Sequence, residues 1–390
     1  LALRSICVGI VLIFYFTGLL IIRKHQLIYL IMSLDVISVL VDISWFFQGL
    51  EEFKITVFRN FTIKITSISL MFLLVKNPTD VWKYTLIMSG GMLIGQLVMW
   101  PYLPRFTNRI SFKNIRPWKH FFPSFVLFIP TISIQIYTYL DKILIGLICS
   151  EVEVGYYSQS EKIVKLVLTI ISSFGTVLMP RMAILIKNKD MEQVYYNIKN
   201  SFSLVCLLGF PMVFGLLVVS SRFVPWFLGD GYEPCITILR VLAPLILIMG
   251  IASITGASIL IPLGRQNLYN LSIISGTIIN LIFNLLLIPR YGAIGASIAT
   301  ILAESTVTGL ELFFLRDHLA FKDIIMDNWH YLIVSIMMVV PYLFLNNIIP
   351  IGAIGILQMA VFGCLIYTVI LLLIRDKFLL YMVAKLPKWR

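Results

Sequence analysis

RFTNRISFKNIRPWKH, residues 105–120, carries five Lys or Arg (Arg105, Arg109, Lys113, Arg116, Lys119) and no acid. On either side of it the chain is one apolar segment after another. A basic loop between membrane spans stays on the cytoplasmic face. The stretch therefore orients its neighbours and reads as the cytoplasmic joint between two helix bundles. Its own chemistry is that of a solvated loop whose charge sets topology.

Composition fixes the class. The 390 residues are 59% hydrophobic and 13% charged, with a mean hydropathy of +0.95, too apolar for a soluble globule. Apolar runs reach the ~20 residues that cross a ~30 Å hydrocarbon core. A net charge of +12 would suit nucleic acid, but the basic residues lie in short loops and not on one soluble face. No nucleic-acid partner is expected, and membrane lipid is. The five cysteines are scattered, with no CxxC and no His nearby, so neither a metal site nor a disulfide framework is expected. No cofactor is expected either.

Hydropathy predicts an all-α polytopic protein with about 12 spans, at 6–22, 27–50, 61–75, 82–104, 121–148, 162–186, 201–228, 236–262, 268–288, 293–315, 330–349 and 352–374. With the joint inside, cytoplasmic segments hold twenty Lys or Arg and exterior ones seven. That bias supports the topology, with both ends of the chain cytoplasmic. The longest exterior connection, 149–160, is too short to fold into a catalytic domain, so an enzyme is not expected. The chain opens on Leu1 and enters an apolar segment at once; we expect a fragment lacking its N-terminal end.

A faint internal repeat accompanies this pattern. At an offset of 215, residues 47–104 fall on 262–319, aligning Gly49 with Gly264 and the spans 61–75 and 82–104 with 276–290 and 297–319. Repeated halves are a sequence mark of transporters that rock one bundle against the other. Two further N-terminal spans, giving about 14, would make the first bundle six. The expected division is 1–104 (four spans of the first bundle), 105–120 (basic linker), 121–318 (a pseudo-symmetric six-helix bundle) and 319–390 (two additional spans and a basic tail).

Two windows carry a family resemblance. Asp42–Lys64, DISWFFQGLEEFKITVFRNFTIK, followed by Val75-Lys76 and Asp80, resembles the fourth and fifth helices of bacterial polysaccharide flippases of the oligosaccharide flippase family. That family belongs to the multidrug/oligosaccharidyl-lipid/polysaccharide exporter superfamily. Tyr139–Arg181 has its second-bundle pattern: Asp141-Lys142, Gly146, Val154-Gly155-Tyr156-Tyr157 and Pro180-Arg181. As helix order the resemblance covers the whole chain. It implies export of an undecaprenyl-pyrophosphate-linked oligosaccharide across the bacterial cytoplasmic membrane, in capsule, O-antigen or other surface-glycan synthesis. A proton or sodium ion as coupling ion, and other polysaccharide-assembly proteins as partners, come with that reading.

Moving a sugar and a pyrophosphate through hydrocarbon requires a polar cleft with cations for the phosphates. Arg59 and Lys64 near the cytoplasmic end of the third span, and Arg181 ending the sixth, are candidate phosphate contacts; each also suits an interfacial anchor. Asp35 and Asp42, seven apart, should share one face of the second span as a cleft wall or coupling-ion site. Asp141 and Lys142 are adjacent, so they point about 100° apart and cannot simply pair; Asp141 is the better cleft candidate. Glu304 and Glu311 with Thr308 between them form a polar stripe, Glu304 being a further coupling-ion candidate. Asn280 and Asn284 share a face of the ninth span, suited to the cleft or to interhelical hydrogen bonds.

Prolines 130, 211, 244 and 341 predict kinks, and Gly91 with Gly95 predicts close helix packing. The alternatives are a multidrug or organic-cation exporter of the same fold and an integral-membrane glycosyltransferase or polymerase. The first would want a more apolar, acid-lined cavity. The second would need a large exterior loop or a DxD motif, and the sequence has neither.

Overall fold

The computed structural model describes residues 2–21, 25–50, 52–106, 118, 121–122, 135, 139–317, 321–345 and 352–385. Most of the basic joint, with Arg109, Lys113, Arg116 and Lys119, lies outside the described residues, as do Pro130 and much of the predicted span 121–148. The described residues are helical and include no strand. They form two compact units, residues 1–128 and 129–390.

The first unit contains α1 (Ala2–Ile21), α2 (Gln26–Val41), α3 (Ser44–Gly49), α4 (Phe53–Leu74) and α5 (Val81–Leu97). Helix α2 packs on α1 and α5, and α5 on α4. The glycine pair of α5 makes the last contact close: a Cβ on Gly91 would sit 2.7 Å from Ser67 Oγ, and one on Gly95 3.3 Å from Ile63. The turn into α5 is fixed by Asp80, whose carboxylate accepts the N–H groups of Lys76 and Asn77 at 3.1 Å and pairs with Lys83 at 2.7 Å. Asn77 completes a reciprocal capping box, with Pro78 at the first helical position.

Two expectations about this unit are corrected. Helix α2 stops at Val41 because Asp42 is extended (φ −69, ψ 115) and turns its carboxylate onto Ser44, accepting its N–H at 2.8 Å and its hydroxyl at 2.5 Å. This aspartate turn competes with the helix, so Asp35 and Asp42 do not share one helical face. Helix α4 begins at Phe53, eight residues before the predicted span. Lys64 is its twelfth residue, about 16 Å from the start at 1.5 Å per residue and not near its end.

The second unit runs α6 (139–148), α7 (Glu151–Lys187), α8 (Met191–Leu228), α9 (Pro234–Leu242), α10 (Leu245–Ala252), a π-helical run Ser253–Leu260, α11 (Gln266–Phe314), α12 (Phe321–Leu345), α13 (Ala353–Leu373) and α14 (Lys377–Lys385). The segment 149–160, expected as a loop, is mostly helix. Ser150 Oγ accepts the N–H of Glu153 at 3.2 Å, and acidic residues occupy the first turn, favourable at the positive end of a helix. Asp190 starts α8 in the same way, accepting from Gln193 N at 3.1 Å. The predicted kink at Pro244 is a break between α9 and α10, whereas α8 passes Pro211, and α12 Pro341, as single helices.

Helix α11 is two helices joined at Gly292 (φ +54, ψ −133), a conformation only glycine adopts readily. Its halves lie side by side: Ser272 Oγ reaches Glu311 at 3.3 Å, and a Cβ on Gly276 would run into Val307. These are the predicted spans 268–288 and 293–315. Among the described residues, ten elements are long and apolar enough to cross a membrane. Large apolar side chains face outward, as in Phe14 at 72% and Leu20 at 82% exposure, where a water-soluble protein would bury them. This is a multi-pass membrane protein.

Candidate functional site

The polar interior of the second unit is built by α6, α7 and both halves of α11. Asp141 on α6 is 5% exposed. Its Oδ1 accepts from Asn284 Nδ2 at 2.6 Å, and its Oδ2 from the Tyr157 hydroxyl at 2.6 Å and the Thr300 hydroxyl at 2.8 Å. Asn284 Nδ2 also donates to Asn280 Oδ1 at 2.9 Å. Two buried atoms of this group, Asn284 Oδ1 and Asn280 Nδ2, have no hydrogen-bond partner among the described residues. The Gly292 reversal brings Asn284 and Thr300, eight residues on either side of it, to the same level. At 1.5 Å per residue, all three elements place this carboxylate about 10–12 Å in from the helix ends at 148 and 292.

Asp141 and Lys142 find separate partners, as their spacing requires. Lys142 pairs with Glu161 at 2.7 Å, and Lys165 takes the other Glu161 oxygen at 2.6 Å. No described Lys, Arg or His pairs with Asp141. A cavity of about 80 Å³ opens beside it, lined also by Glu161, Lys165, Thr300 and Glu304. Further along the second half of α11, buried Thr308 and Glu311 continue the stripe. Thr308 donates to Ile248 O at 3.2 Å, and Glu311 accepts from the Thr255 hydroxyl at 2.5 Å.

Such a site can hold a small hard cation or a proton. The donor set is all oxygen: the Asp141 carboxylate, the Asn280 and Asn284 amide oxygens and the Thr300 hydroxyl, the ligand types that hard cations prefer. The unpartnered Asn284 Oδ1 next to a carboxylate fits that use. A buried ionisable group within a membrane bundle is costly and marks function by default.

The structure thus gathers Asp141, Asn280, Asn284 and Glu304. Of the other candidates, Asp35, Asp42, Arg59 and Lys64 belong to the first unit and Arg181 to the later turns of α7. Asp35, half-buried, accepts from Ser89 Oγ at 3.0 Å. Asp42 caps α3 and takes Arg4 on its backbone oxygen. Arg59 is held flat by Asn60 Oδ1 at 2.7 Å and Gln96 Oε1 at 2.7 Å, facing a cavity of about 560 Å³ that Lys54 and Arg105 also line. Lys64 and Arg181 are exposed on their helices. Tyr157 and Thr300 were missed. Tyr157 stood in the quoted Val154–Tyr157 motif, and Thr300 carried only its four-residue spacing from Glu304.

Residues 2–186 match the family model described as polysaccharide biosynthesis protein. The likeness to that family covers just under half of the chain. A relative in Shigella dysenteriae, "Putative O-antigen transporter", is 26% identical over 326 residues, 81% of this chain and 78% of its own length. A Haloferax volcanii relative, "Probable low-salt glycan biosynthesis flippase Agl15", is 24% identical over 67% of this chain and 55% of its own length. The solved structure of the lipid II flippase MurJ in an inward closed conformation superposes with a TM-score of 0.76 at 17% identity, covering 95% of this chain and 82% of that one. That likeness is one of fold: an all-helical polytopic membrane protein.

Proposed function

We propose that this chain flips an undecaprenyl-pyrophosphate-linked oligosaccharide from the cytoplasmic to the outer leaflet of a bacterial cytoplasmic membrane, by alternating access, for a surface polysaccharide. The observation that carries the reading is the alignment of 81% of the chain with a putative O-antigen transporter. It is a transporter and not a catalyst. Both described ends lie on the cytoplasmic side in this reading, as the loop charges require.

The Asp141 group is the coupling-ion site, taking a proton or sodium ion among Asp141, Asn284, Asn280 and Thr300, with Glu304 at the edge of the same cavity. Arg59, beside Lys54 and Arg105, meets the pyrophosphate at the cytoplasmic mouth. The mid-helix position of Lys64 suits a later contact along the path, and Arg181 a contact from the second unit. Asp35 and Asp42 act in the first unit, Asp35 as a cleft wall and Asp42 through the α2–α3 corner.

Proteoliposomes test this. The purified protein is given an undecaprenyl-pyrophosphate oligosaccharide and, in parallel, an organic-cation dye, and Lys64→Ala and Arg181→Ala run beside it. Movement of the lipid-linked sugar, slowed by both substitutions while the unfolding temperature holds, supports the reading. Movement of the dye alone sinks it in favour of a multidrug exporter.

A further inference from the structure

A second cavity of about 560 Å³ lies within the second unit, between the early turns of α8 and α12 and the corner joining α13 to α14. The apolar window of α12 starts at Ile324 and that of α13 ends at Leu373, so the cavity stands at the membrane–water boundary, on the side where charge bias places the cytoplasm. Met326, Ile374 and Phe378 give it an apolar rim.

Its charges are Lys199, Arg375, Lys377 and the acids Asp327 and Asp376, with His330 beside them. Both acids are already committed. Asp327 pairs with Lys199 at 2.5 Å. Asp376, 7% exposed, is enclosed by His330 Nε2 at 2.9 Å, the Tyr331 hydroxyl at 3.1 Å and the Leu379 N–H at 2.6 Å. Arg375 and Lys377 flank it and are exposed, so the charge presented to a ligand is positive.

Backbone geometry points the same way. Arg375 ends α13 in the left-handed conformation, φ +53, where helices usually place glycine. Its N–H bonds Leu372 O at 3.1 Å, and the next N–H reaches Leu371 O at 3.0 Å. An arginine in this strained place, beside an aspartate tied to two helices, lines the cavity, and its guanidinium fork matches phosphate oxygens.

We propose that this cavity binds a phosphate-bearing anion at the membrane–water boundary, with Arg375 and Lys377 as its contacts and Asp376 holding the corner that presents them. The chemistry is shared by an anionic phospholipid headgroup and by soluble phosphates. The inference rests on the second unit alone and stands apart from what the chain transports.

Native mass spectrometry of the full chain in neutral detergent tests it, with titration of phosphatidylglycerol, phosphatidylcholine and sodium pyrophosphate in turn. Phosphatidylglycerol should be retained in preference to phosphatidylcholine. At ~1 kcal/mol per basic residue near anionic lipid, R375A/K377A should weaken it about thirtyfold. Arg290→Ala, exposed at the other membrane face, should leave retention unchanged. Binding of pyrophosphate with displacement of the lipid would keep the site and assign it a soluble ligand. Equal retention of both lipids, full retention by the double variant, or an equal loss in Arg290→Ala would overturn it. Both substituted residues are exposed, so circular dichroism of R375A/K377A should match the parent and exclude misfolding as the cause.

Discussion

The carboxylate of Asp141 is held by three neutral donors, while the lysine next to it is committed to Glu161. Neutral hydrogen bonds offset only part of the desolvation of a buried charge, which leaves room for a cation or proton. Asp141→Asn keeps the shape and removes the charge. It should cut transport at least ~tenfold, equivalent to 1.4 kcal/mol of lost coupling, with the unfolding midpoint held. Asp141→Ala removes the acceptor of three donors, leaving the Tyr157 hydroxyl, 1% exposed, with Thr300 Oγ1 at 3.0 Å, and should also cost about 1–3 kcal/mol of stability. If Asp141→Asn transports at the parent rate, the coupling role is lost and the group is structural. Glu311 differs: its described partners are the hydroxyls of Thr255 and Ser272, both of which also bond backbone oxygens. Glu311→Gln should therefore unfold no earlier than the parent, gaining about 1 kcal/mol from the buried charge removed. Denaturant unfolding in detergent measures it, and a large loss would show that the charged form is held by something further.

At the scale of the element, the hairpin of α11 makes a comparison within one helix. A Cβ on Gly276 would run into Val307, whereas one on Gly309 would meet nothing within 4 Å. Gly276→Ala should destabilise by about 1–3 kcal/mol through overpacking, while Gly309→Ala should be neutral or stabilise by up to ~1 kcal/mol through helix propensity. Thermal unfolding of the two variants checks the sign of each. Glu153 belongs to the same device, its Oε2 accepting the N–H of Ala293 at 3.0 Å at the start of the second half. These elements also mark how far the sequence could be read. Apolar runs announce helices, and Gly292 stood in the four-residue gap between two predicted spans. Helix ends were less legible, because α4, α7 and α8 continue beyond their apolar windows, and what stops them is a short polar cap such as Ser150 or Asp190. Asp42 shows the reverse case, a residue with helical spacing whose side chain prefers to close a turn. Least legible was the pairing across distance. Asp141 meets Thr300 at a separation of 159 residues, and nothing in either neighbourhood encodes the other.

For the molecule as a whole, the direction of transport rests on orientation, and orientation rests on where the positive charge lies. Helix α8 connects Asn188–Asp190, assigned to the cytoplasm, with Gly229–Tyr232, assigned to the exterior. Its 38 residues span about 57 Å at 1.5 Å per residue, longer than the ~30 Å hydrocarbon core. A helix of that length that crosses the bilayer has both ends in water, on opposite sides. Asn188 and Asp230 are exposed and suit substitution by cysteine, after the five native cysteines are replaced. In intact cells a membrane-impermeant maleimide should label Asp230→Cys at once, and Asn188→Cys only after permeabilisation. The reverse pattern would turn the molecule over. It would reverse the sides that the loop charges assign, and the flipping direction proposed here would fail with it. Labelling of both positions in intact cells would instead show that α8 does not cross the membrane. The ten apolar elements would then need a different order of crossings.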